Sequence, residues 1–143
     1  MNESRSLILD VCVRAVFHTV LLLGVFFLFA GHNAPGGGFV GGLVAGAAFV
    51  LHDVANDFDP ARRKLRVSPE TILGVGLLVA VTTGVIALFT GSELLESDSL
   101  TIRVPLFEHV KATSTLAFDI GVFLVVLGVV LTIVERLGEE IEE

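Results

Sequence analysis

Asp10, Arg14 and His18 recur every four residues in the first apolar run of the chain, and Asp119 stands alone in the last. Four-residue spacing puts the first three on one helical face, where Asp10 and Arg14 can pair and His18 follows one turn later. An acid, a base and an imidazole in file are the parts of a proton relay. They are equally the parts of an interfacial ion pair, with Arg14 snorkelling to water and a neutral His18 bonded to a neighbouring helix. Asp119 lies about two turns into its run, after Ala112-Thr113-Ser114-Thr115-Leu116-Ala117-Phe118. A lone carboxylate at bilayer depth must be protonated, hydrated or matched by a cation or donor, and Thr115, one turn earlier, is one such donor. An ion-path role and a structural hydrogen bond both fit.

The elements that must position these groups follow from composition. The chain has 143 residues, 53% of them hydrophobic and 17% charged, with a mean hydropathy of +0.85. Such values belong to membrane proteins rather than soluble domains. A hydrocarbon core about 30 Å thick takes ~20 apolar residues per helix, so a chain this short crosses only a few times. The reading is an all-α integral membrane protein, one domain over residues 1–143, with four transmembrane helices at about 7–30, 36–54, 71–91 and 112–136. The third opens on Ser68-Pro69-Glu70: an N-cap, a proline at the first helical position, and an acid near the positive helix end. The first run has no small-residue cleavage site and is flanked by Glu3, Arg5 and Asp10, so it reads as a retained anchor.

Charge sets the orientation. Four spans put both termini and the loop around residues 52–69 on one side, with Arg5, Arg14, Arg62, Arg63, Lys64, Arg66 and Arg136, and leave Arg103 and Lys111 on the other. The positive-inside rule then makes both termini cytoplasmic. The outer loop, residues 91–111, carries an apolar stretch, Ile102 to Phe107, interrupted by Pro105. It is expected to be extended on the membrane surface or on a partner, or simply solvated. The acidic end, Gly138-Glu139-Glu140-Ile141-Glu142-Glu143, reads as a solvated tail. A net charge of −7 without a basic stripe excludes nucleic acid as a partner. The single cysteine, Cys12, removes disulfide and zinc chemistry, so no metal is expected.

The second span is built for packing. Gly38, Gly42 and Gly46 recur at four-residue spacing, with Gly37 and Gly41 beside them, forming a groove that another helix can approach closely. The preceding Gly31-His32-Asn33-Ala34-Pro35-Gly36 is a turn, and without a Walker lysine or a preceding strand it is no phosphate loop. Ionisable groups within the spans are too few for a complete path across the bilayer, and no inverted repeat is detectable. By itself the chain is incomplete as a transporter.

The stretch Gly31-His32-Asn33-Ala34-Pro35-Gly36-Gly37-Gly38-Phe39-Val40-Gly41-Gly42-Leu43, with Phe118-Asp119-Ile120-Gly121-Val122 in the final helix, closely resembles the MnhB-type subunit of the multisubunit sodium/proton antiporters, the Mrp or Mnh class. The resemblance covers essentially the whole chain. It implies a small subunit of a hetero-oligomeric Na+/H+ antiporter, not an enzyme and without a cofactor, in the plasma membrane of a prokaryote. The implied partners are the other subunits, the bilayer, and Na+ and H+ as transported ions. Large antiporter-like subunits are expected to carry the main proton path, in keeping with the thin charge inventory here. The equivalent subunit of a membrane-bound hydrogenase-type complex, and a purely structural subunit, are the alternatives. The motif residues so identified are His32, Asn33, Pro35, Gly36, Gly37, Gly38, Phe39, Gly41 and Gly42, then Phe118, Asp119 and Gly121.

Overall fold

The computed structural model describes residues 7–31, 37–56, 66–90 and 105–142, with side chains at 7–31, 37–56, 66–89 and 115–141. They form α1 (Leu7–Ala30), α2 (Gly38–Ala55), α3 (Pro69–Thr90) and α4 (Pro105–Glu142). Each helix is long and apolar enough to cross a membrane. Helices satisfy every backbone group internally, which is what hydrocarbon demands.

The helix ends follow local chemistry, in one place against expectation. At the start of α3 the Thr71 amide donates to the Ser68 side-chain oxygen at 3.4 Å, and Pro69 takes the first helical position. Pro105 does the same for α4, which begins about seven residues before the expected boundary. The segment from Pro105 to Phe107 is therefore helical rather than extended. Proline breaks a helix interior, but at the first position its missing N–H costs nothing and its φ is already helical. The expected extension over Ile102–Val104 lies outside the described residues. At the other end α4 continues to Glu142, so the acidic tail forms its last turns. At 38 residues α4 runs ~57 Å, nearly twice the thickness of a hydrocarbon core.

The helices pack in the order α1, α2, α4, α3. Among the described residues α2 is flanked by α1 and α4, α4 by α2 and α3, α1 touches α4 only marginally, and α3 reaches neither α1 nor α2. Close approach depends on glycine at each of the three interfaces. A Cβ added to Gly41 would lie 2.6 Å from the Gly24 carbonyl oxygen of α1, and one on Gly42 would lie 2.8 Å from Val126 Cβ of α4. Between α3 and α4, Cβ atoms on Gly76 and Gly121 would meet Leu124 Cβ at 2.7 Å and the Ala80 nitrogen at 2.6 Å. Leu28, Ala45, Phe123, Leu127 and Leu131 form the core. The broad faces of the row expose large apolar side chains, among them Phe26, Leu78 and Phe89.

The glycine groove of α2 is therefore already filled. Gly38, Gly42 and Gly46 face α4, and Gly41 faces α1, so the helices that approach the groove are the chain's own. Two helices can flank α2 because its small residues fall on two faces instead of one stripe.

Candidate functional site

Asp119 lies where α4 packs closely on α2. Its helix is locked to α2 at Gly38, where an added Cβ would run into the Asp119 carbonyl oxygen and sit 3.0 Å from the Phe123 nitrogen. That lock carries the half-buried carboxylate to the start of α2: a Cβ on Gly37 would lie 3.7 Å from Asp119 Oδ1 and 3.9 Å from Oδ2. Gly37 is the N-cap of α2, with φ 90° and ψ −165°, and makes no side-chain capping bond. L-residues rarely adopt this conformation, so glycine gives the backbone its turn, with the carboxylate at van der Waals distance from where a Cβ would stand. The Gly37 amide donates to the Phe27 carbonyl at 3.0 Å, and the same oxygen accepts from Gly31 at 3.1 Å, which ties the end of α1 to the start of α2.

A helix N-terminus carries a partial positive charge and unsatisfied N–H groups. A carboxylate beside it gains favourable electrostatics without a cationic side chain. The positive end of α2 thus lies beside Asp119. The arrangement also joins the two sequence motifs, the glycine run before α2 and the Phe118-to-Gly121 segment of α4. Phe118 and Phe39 are exposed, while Gly37, Gly38 and Gly121 are buried. His32, Asn33, Pro35 and Gly36 lie outside the described residues.

The polar face of α1 is not part of this site. Asp10, Arg14 and His18 are all exposed, and no ion pair joins Asp10 to Arg14 among the described residues. An exposed pair at this spacing gains only a few tenths of a kcal/mol, too little to hold two mobile side chains together. His18 donates Nδ1–H to the Arg14 carbonyl at 2.6 Å, so it bonds to its own helix rather than to a neighbouring one.

Sequence reading misses one group. His52, at the C-terminal end of α2, is buried at 7% exposure, the one buried polar or charged side chain among the described residues. It packs against Phe17 of α1 with ring centroids 5.3 Å apart, and bonds to Asp53 and Asn56. The signal is present in His52-Asp53 followed by Asn56 four residues after the histidine. It is easily overlooked, because polar residues at the end of a span read as the beginning of a loop.

Residues 8–132 match the family model described as a domain related to the MnhB subunit of Na+/H+ antiporter. The chain belongs to this MnhB-related family. It is 38% identical to a Na+/H+ antiporter subunit of Bacillus subtilis strain 168 over 98% of this chain and 99% of that one. It is 33% identical to the corresponding Na+/H+ antiporter subunit of Alkalihalophilus pseudofirmus, over 96% of each. The family match covers α1, α2, α3 and most of α4, and so includes both Gly37 and Asp119. Membership of this family points to transport rather than enzymatic catalysis.

Proposed function

We propose that this chain is a membrane subunit of a multisubunit Na+/H+ antiporter in a prokaryotic plasma membrane, with both termini cytoplasmic. In this reading Asp119, held at the start of α2, is its contribution to the ion path. The observation that carries the assignment is the approach of the Asp119 carboxylate to Gly37, which joins an intramembrane acid to the positive end of a helix. A carboxylate can bind either of the two exchanged ions, a cation or a proton, at the same oxygens. Family membership supports the antiporter setting, and the scarcity of other ionisable groups inside the spans supports a division of labour with partner subunits.

The test is Asp119→Asn in the whole complex, with sodium-dependent proton movement measured in everted vesicles and assembly followed on native gels from the same membranes. Full assembly with lost antiport supports the ion-path role. The glycine contacts favour a second reading, in which Asp119 and the motif only hold α4 against α2. That reading expects antiport to fall in proportion to assembly.

A further inference from the structure

The C-terminal end of α2 carries a second set of ionisable groups that the ion-path reading does not use. His52 Nε2 lies 3.3 Å from Asn56 Nδ2, and Nδ1 lies 3.4 Å from Asp53 Oδ1. An amide NH2 can only donate, so Nε2 is the acceptor and Nδ1 carries the hydrogen that points to the carboxylate. The same Asn56 amide nitrogen donates to the His52 carbonyl at 2.7 Å. Asn56 is also the C-cap of α2, its backbone N–H donating to the carbonyls of His52 and Asp53 at 3.1 Å each. Phe17, itself 3% exposed, covers one side of the imidazole.

We propose that His52 and Asp53 form a proton-exchange site at the C-terminal end of α2, with Asn56 as its latch. In the resting state Nε2 offers a lone pair that only a hydrogen bond from Asn56 occupies. Uptake forms an N–H bond at Nε2 and breaks the contact with Asn56, since two N–H groups cannot face each other. The imidazolium charge is balanced by the Asp53 carboxylate. On release the proton leaves Nε2 and the Asn56 side-chain contact re-forms. Other titratable groups at this end of the neighbouring helices include Asp10, Cys12, Arg14 and His18 on α1 and Glu135, Arg136, Glu139 and Glu140 on α4. Among the described residues Asp53 is the one ionisable group bonded to the imidazole. From Gly38 to His52 is ~21 Å along the helix, and residues 39–51 are all Gly, Ala, Val, Leu or Phe. The site is therefore separate from Asp119.

The transport readout rests on the antiporter reading, so a spectroscopic test is paired with it. The purified complex, with 15N-labelled histidine, is titrated by NMR. A resonance absent from His52→Gln, changing from a singly to a doubly protonated ring within the pH range over which the complex transports, is the result expected whichever cation is carried. A His52 ring that stays singly protonated throughout would overturn the proposal. In vesicles, His52→Gln assembles but loses about tenfold or more of its antiport. Asn56→Asp, which replaces the donor with an acceptor, moves the pH profile to higher pH. If His52→Gln and His52→Leu both keep the wild-type rate and profile per assembled complex, the histidine is packing alone and the proposal is wrong. Retained antiport in Asp119→Asn alongside these shifts would count against Asp119 only.

Discussion

At its N-terminus α2 meets a carboxylate brought by another helix, Asp119 of α4, whereas at its C-terminus the ionisable pair His52 and Asp53 belongs to α2 itself. The first arrangement exists only while α4 lies against Gly38. The second is local, built from neighbours in sequence and covered by Phe17. A site assembled across helices is exposed to packing changes along the whole interface, while a site within one turn is sensitive mainly to its own side chains. Substitutions that affect one end and spare the other therefore test the account.

Gly38→Leu should have the largest effect, because the added side chain would strike the α4 backbone, which cannot move away as a flexible side-chain tip can. Loss of the assembled complex on native gels is expected, and normal assembly would show that close approach is not required. Phe17→Ala comes next. Removing a buried aromatic costs about 3–5 kcal/mol in soluble cores, so the assembled complex should lose heat stability while Asp119-dependent transport persists below the transition. Gly37→Ala should cost less, on the order of 1–3 kcal/mol for an L-residue held at φ 90°. Relief of that strain would shift the start of α2 relative to the Asp119 carboxylate, so antiport should fall while assembly persists. Arg136→Ala is the smallest. Its contact with Glu70 is 3.8 Å long between side chains about 70% exposed, and exposed pairs contribute at most about 1 kcal/mol, so unchanged assembly and transport are expected.

The four helices were legible because the bilayer demands long apolar runs and polar punctuation separates them. The start of α4 was not, although Pro69 and Pro105 open their helices in the same way. Ser68 and Glu70 announce the first, whereas Pro105 stands in an apolar stretch that also reads as extended. Helix order was hidden for another reason: small residues tell that a partner comes close, but not which one. Gly38 and Gly42 read as a groove for another helix, and the helix they receive is α4 of the same chain. Gly24, Gly76 and Gly128 carry no such signal, since single glycines in apolar runs have no distinctive spacing until the partner helix is known. Gly74 faces open space just two residues from the tightly packed Gly76. For the candidate site, Asp119 could be singled out by its isolation in a span. Its neighbour Gly37 could not, because a helix N-terminus is a charge with no side chain to mark it.

Antiport per assembled complex in Asp119→Asn is the most direct test of the central claim. Asparagine keeps the size of the side chain and its fit beside Gly37 but removes the charge. The account predicts wild-type assembly on native gels with sodium-dependent proton movement in everted vesicles reduced at least about tenfold, equivalent to ~1.4 kcal/mol of lost stabilisation. Wild-type antiport from a fully assembled Asp119→Asn complex would contradict it.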